Sequence, residues 1–199
     1  MSSEAVETRI RILNAAWTLL EASHGSGVKM SDIARAAGIS RQAVYLHFPN
    51  RAELLIAATR HIDEVKKVGA RLAASREAST GIERLEAFIE AWGNYIPEVY
   101  GVVRALLAMR DSDAAARAAL DDRMRGLREG FEAAVKALAR DGVLSPALSV
   151  PEAVDILWSL LSVETWEKFT RDCGWPQARY VALMQELASK MLLAGPASQ

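Results

Sequence analysis

Arg41, Gln42, Tyr45 and His47 fall within one short stretch of this 199-residue chain. Together they offer a guanidinium, a carboxamide, a phenol and an imidazole, with no carboxylate among them. Arg can bond the O6 and N7 of guanine bidentately, and Gln can bond the N6 and N7 of adenine. Tyr and His suit phosphate oxygens. Ser40 immediately before the stretch adds a hydroxyl. Lys29 and Arg51, each at the start of a neighbouring helix, add charge where a phosphate backbone would pass. The chemistry on offer is recognition of double-stranded DNA.

The residues around this set must hold it outward. Val28 to Phe48 reads as two short helices with a tight turn between them. Ile33, Ala34 and Ala37 give the first helix an apolar side, and Ala34 is small enough for a close crossing. Gly38 stands where the chain reverses, and Gly takes a positive φ without a Cβ penalty. Ser40 is a good N-cap for the second helix. Val44 and Phe48 lie four apart and share a buried face. This is the form of a helix-turn-helix, whose second helix enters the major groove with its first turn aimed at base edges. Two helices joined through Gly also occur as plain packing units, so the outward residues carry the inference. The charge balance agrees with them. The chain has a net charge of −1, but residues 1–76 hold 11 Lys+Arg and 7 Asp+Glu, whereas residues 77–199 hold 13 and 18. The basic excess lies with the motif, as a footprint on DNA requires.

At these residues a family resemblance becomes plain. Thr8 to Ala16, then Asp32-Ile33-Ala34 and Ala37-Gly38-Ile39-Ser40, then Tyr45-Leu46-His47-Phe48-Pro49-Asn50-Arg51-Ala52-Glu53-Leu54-Leu55 resemble the N-terminal domain of TetR-type transcriptional regulators. The resemblance covers roughly residues 8 to 60. One departure is Lys29, where the family usually has Thr or Ser capping the first motif helix. Lys cannot accept a capping bond, so Ser31 or Asp32 is expected to do so. The resemblance implies an all-α chain of about nine helices in three parts. These are a helix-turn-helix domain over 1–50 (motif about 29–48), a linking helix over 51–74, and a ligand-binding and dimerisation domain over 75–199.

The remaining periodicity fits helices. Val6, Ile10, Leu13, Trp17 and Leu20 mark a buried stripe on a first helix from about Ser3 to Ser23, ended by His24-Gly25-Ser26-Gly27. Pro49 stops the second motif helix, and Asn50 with Glu53 has capping-box spacing. Leu55, Ala58, Ile62, Val65, Gly69 and Leu72 continue a stripe to about Ala74. A fifth helix is expected to break at Pro97, with a short sixth helix after it. A seventh starts after Asp111-Ser112-Asp113, where Gly126 and Gly130 suggest close approach of a neighbour. Ser149-Val150-Pro151-Glu152 opens an eighth that continues through Trp166 to Cys173-Gly174. The ninth runs from Trp175-Pro176 to Gly195-Pro196.

Other chemistries lack their residues. His24, His47 and His61 show no metal-ligand spacing, and no nucleophile elbow, dinucleotide fingerprint or phosphate loop is present. Neither an enzyme nor a cofactor is expected. Cys173 alone forms no intrachain disulfide, no apolar run spans a membrane, and the N-terminus lacks a secretory pattern. A cytoplasmic protein is expected. By the resemblance, a small hydrophobic or aromatic effector sits among helices four to eight, with Trp92, Tyr95, Tyr100, Phe131, Trp158 and Trp166 as candidate wall residues. Each of these also reads as ordinary core. Trp166, Tyr180, Leu183, Leu187 and Met191 are candidates for a homodimer interface. The expected function is a one-component regulator, a repressor, that binds a palindromic operator as a homodimer and is released by its ligand. The alternative is a helical DNA-binding protein without an inducer, acting architecturally or through a protein partner.

Overall fold

A computed structural model describes residues 3–23 and 26–194. Among them all regular structure is helical, with one isolated bridge between Leu144 and Leu193. The chain forms α1 (Ser3–Ala22), α2 (Met30–Ala36), α3 (Arg41–His47), α4 (Arg51–Val65), α5 (Val68–Arg71), α6 (Ala73–Glu77), α7 (Gly81–Met109) and α8 (Ala114–Arg140). It continues through α9 (Val150–Leu160), α10 (Val163–Glu167), a π-helical turn (Lys168–Asp172) and α11 (Gln177–Leu192). His24-Gly25, expected to help end α1, and Gly195-Pro196, expected to end the last helix, lie outside the described residues.

Two compact units divide these elements. The first comprises residues 1–67 and 99–125, and the second 68–98 and 126–199. α7 and α8 are therefore each divided between the two units. In the first unit Ile12, Leu13, Ala16 and Leu20 of α1 are buried with Ile33, Val44, Phe48, Leu54, Leu55 and Ile62. The stripe on α1 is rotated from the one its periodicity suggests, for Val6 and Ile10 are about two-fifths exposed. In the second unit Leu85, Ile89, Ile96, Phe131, Val135, Leu138, Leu157, Tyr180 and Met184 are buried.

The helix count departs from nine in three places. First, the helix expected to reach Ala74 stops at Val65. Lys66 leaves helical geometry and Lys67 takes a φ of 55°, after which only α5 and α6 form. The apolar rhythm runs on, but Val65 is half exposed and Gly69 is exposed, so no burial offsets their poor helix propensity. Second, Pro97 does not break its helix. Pro removes the bond to the carbonyl four residues earlier, and that carbonyl, Gly93 O, instead accepts from Gln177 Nε2 at 2.8 Å. α7 thus continues unbroken to Met109. Third, the helix expected from Ser149 to Cys173 is interrupted after Leu160. Ser162 caps a new helix by accepting from Thr165 N, and the Leu161 carbonyl freed there accepts from Trp92 Nε1 at 2.8 Å.

Gly130 and Gly126 separate in the same way. A Cβ on Gly130 would meet the Phe88 ring at 2.5 Å, whereas one on Gly126 would meet nothing. The close approach belongs to Gly130 alone.

Candidate nucleic-acid interface

The turn between α2 and α3 is built as a Schellman motif. Gly38 takes a φ of +68°, Ile39 N donates to Ala34 O, and Gly38 N donates to Arg35 O. Ser40 then caps α3 by accepting from Ala43 N at 3.1 Å, which leaves its hydroxyl hydrogen free to donate. α2 starts differently. Lys29 is its N-cap in position only, with no side-chain capping bond, so neither Ser31 nor Asp32 takes the role the sequence suggests. Lys29 is exposed at that helix start.

α3 buries Val44 completely and Phe48 nearly so. At about 100° per residue, the arc that starts beside this buried side and ends opposite it holds Arg41, Tyr45, Gln42 and Leu46 in that order. All four are exposed, Tyr45 at 40% and Leu46 at 87%. The Arg41 guanidinium donates to the Tyr45 hydroxyl at 3.3 Å and lies over its ring. His47 stands off this arc and is half-buried. The structure thus brings Arg41, Gln42 and Tyr45 together on one face, with Ser40 exposed at the N-cap just before them. Leu46 joins them, although it has no polar group to mark it in the sequence; its place four residues after Gln42 is the available signal.

Arg51 has a different part from the phosphate contact expected of it. Its Nε donates to Val28 O, and its Nη1 pairs with Asp113 at 2.7 Å. Asp113 also accepts from Ala115 N and Ala116 N at the start of α8. Burial alone would raise the Asp113 carboxyl. The Arg51 bond and the two amides outweigh it and hold the group below the usual carboxylate range. Two further pairs follow, Arg60 with Asp122 and Asp63 with Arg123. The first two pairs are nine residues apart along both helices, so α4 and the first half of α8 run side by side in the same direction.

Among the aromatic candidates, Tyr100 lies in the first unit, where its hydroxyl accepts from Arg104 at 2.7 Å. The other five lie in the second unit. Trp92 and Tyr95 are buried with ring centroids 6.1 Å apart. Phe131 is buried edge-on to Phe88 at 5.3 Å. Trp158 is half-buried beneath Arg128, and Trp166 is buried with its N–H donated to Gln177. Of the interface candidates, Trp166 and Tyr180 are buried within their own unit and offer no surface to another chain. The Tyr180 hydroxyl has no hydrogen-bond partner, and burial pushes its pKa up. Leu183 and Leu187 are half-buried, and Met191 is 47% exposed.

Among the described residues no helix is long and apolar enough to cross a membrane, and no cluster of three metal-ligating side chains occurs. Residues 12–58 match the family model described as bacterial regulatory proteins, tetR family. The transcriptional regulator CymR of Pseudomonas putida is 29% identical over 170 residues, which cover 81% of this chain and 77% of that one. NalD, the secondary repressor of the MexAB-OprM multidrug efflux pump in Pseudomonas aeruginosa, shares the fold at a TM-score of 0.70 and 24% identity, covering 96% of this chain and 98% of that one. The regulator FadR from Bacillus subtilis, in complex with stearoyl-CoA, shares it at 0.74 and 17% identity, covering 92% and 98%. The match over the reading motif and the shared helical fold lead to one conclusion: residues 12–58 are similar to the DNA-binding domain of tetR-family regulatory proteins, and the whole chain is similar in fold to transcriptional regulators of that kind.

Proposed function

We propose that the chain is a cytoplasmic repressor that binds a palindromic operator as a homodimer and leaves it when an apolar ligand binds. The observation that carries this reading is the exposed arc of α3, where Arg41 and Gln42 stand in the first turn with Tyr45 behind them and the helix itself holds no carboxylate. Arg41 and Gln42 meet base edges. Lys29, Ser40, Tyr45 and His47 meet phosphates. Arg51 acts behind them, holding the start of α4 to the loop before α2.

A ligand is supported by the FadR complex, whose bound molecule is a long acyl thioester, and by the aromatic content of the second unit. Trp92, Tyr95, Phe131, Trp158 and Trp166 are its candidate wall, with Tyr100 of the first unit the outlying member. The unpaired Tyr180 hydroxyl is a polar handle that such a ligand would engage. Dimerisation is supported by the half-exposed apolar stripe Leu183, Leu187 and Met191 on α11.

The test is twofold. Duplexes selected from a randomised pool by the full chain should converge on a two-fold symmetric sequence. A thermal-shift screen against long-chain acyl compounds and hydrophobic aromatics should find a ligand that raises the melting temperature and releases the selected duplex. Convergence without any releasing ligand would favour the inducer-free alternative. No convergence would overturn the DNA reading.

A further inference from the structure

Resting on the reading of α3 as the helix that enters the major groove, we infer that Leu46 recognises a thymine methyl group in each operator half-site. Leu46 is 87% exposed, far above the other exposed large apolar side chains among the described residues, which range from 40% to 50%. An isolated exposed leucine needs no explanation. This one sits at the edge of the reading arc, on the same helix face as Gln42 four residues earlier. It carries no donor or acceptor, so neither a phosphate nor a polar base edge can hold it. The one apolar group that base pairs present in the major groove is the C5-methyl of thymine.

The spacing fits a paired reading. Four residues of helix advance about 6 Å along its axis, and base pairs rise about 3.4 Å each. A Gln42 bonded to one base therefore leaves Leu46 one or two base pairs further along the groove. Arg41, its guanidinium stacked on Tyr45, stands on the opposite edge of the arc. The arc then has a polar edge and an apolar edge, which fixes the direction in which the half-site is read.

The experiment uses the full chain and the duplex selected from a randomised pool. Each thymine in the half-site is replaced in turn by deoxyuridine, which removes the methyl and leaves the pairing intact. One thymine position is expected at which the wild type binds about fourfold more weakly per half-site, the factor for one methyl-sized group. Leu46→Ala should bind the thymine and uracil duplexes alike there, with an unchanged melting temperature because the side chain is exposed. Wild-type indifference to every thymine replacement overturns the inference, as does a Leu46→Ala variant that still discriminates. If Leu46→Ala instead abolishes cooperative loading of several copies on one duplex and leaves discrimination intact, Leu46 is a protein contact and the inference fails. Failure of the pool to converge overturns the DNA reading itself, which separates the two cases.

Discussion

The polar side chains around α3 divide into those exposed on the reading side and Arg51, which is paired inward with Asp113, and their substitutions should divide likewise. Arg41→Ala or Gln42→Ala should cost about 1–3 kcal/mol on the selected duplex and relax the preference at particular base pairs. Lys29→Ala should weaken binding to all sequences and flatten the salt dependence by about one unit for each phosphate left without its cation in each half-site. Titrations at several salt concentrations with single-base duplex variants distinguish them. A base preference untouched by the first pair and altered by Lys29→Ala would reverse the docking of α3. Arg51→Ala belongs to neither class. It should lower the melting temperature of the free protein, costing about 1.5–3 kcal/mol for bonds to charged groups. Its partner sets the pH range. Asp113 has a folded pKa below its unfolded value, so the stability it contributes is complete above the unfolded value and is lost as pH falls through the folded one. The deficit of Arg51→Ala relative to wild type should therefore shrink in acid; a constant deficit would show that the pair is not its source. Sequence alone does not separate Arg51 from Lys29. Both are cations at helix starts, and only the approach of Asp113, 62 residues later, assigns Arg51 inward.

Helix boundaries follow local signals where local chemistry decides them and depart where distant groups do. Ser40, Gly38, Asn50 and Ser149 act within four residues of themselves, so their turns and caps are legible in the sequence. Pro97 reads as a break because its missing N–H is a local fact, while the compensating donor, Gln177, arrives from 84 residues away, measured from Gly93. The same Gln177 accepts the Trp166 N–H through its Oε1 at 2.8 Å. One carboxamide thus satisfies a carbonyl of α7 and an indole of α10. Gln177→Ala should leave both unpaired and cost about 1–3 kcal/mol per buried group, with loss of helicity centred on residues 93–97. Hydrogen exchange read segment by segment is the measurement. Protection of the α7 amides around Pro97 should fall in the variant, and unchanged protection would mean that the helix carries Pro97 without help. Ser162 shows the intermediate case. Its capping bond is local, but the preceding apolar rhythm through Leu157 and Leu161 reads as uninterrupted helix, and the Trp92 bond to Leu161 O is not visible in it.

Assembly of two copies is where side-chain burial sharpens the expectation. Along α11, Tyr180, Met184, Ala188 and Leu192 recur every four residues and are fully buried, forming the inner stripe. Leu183, Leu187 and Met191 recur with the same period on a neighbouring stripe and remain partly exposed. A terminal helix that needed only its own core would be served by the first stripe. The second is the surface a two-fold partner would bury, and in such an interface each residue lies near its own counterpart or that of a neighbour on the stripe. Charge placed there is opposed by the same charge from the other copy. Leu183→Glu with Leu187→Glu should shift the sedimentation of the protein from dimer to monomer at micromolar concentration. Affinity for the selected two-fold duplex should fall with it, because two linked heads bind far more tightly than one. Affinity for a duplex carrying a single half-site should stay near the wild-type value, since Leu183 and Leu187 lie in the second unit and the reading helix in the first. That last measurement distinguishes loss of pairing from loss of the fold. A double variant that still sediments as a dimer would place the interface elsewhere, and one that loses single half-site binding too would mean the outer stripe serves the folding of the chain.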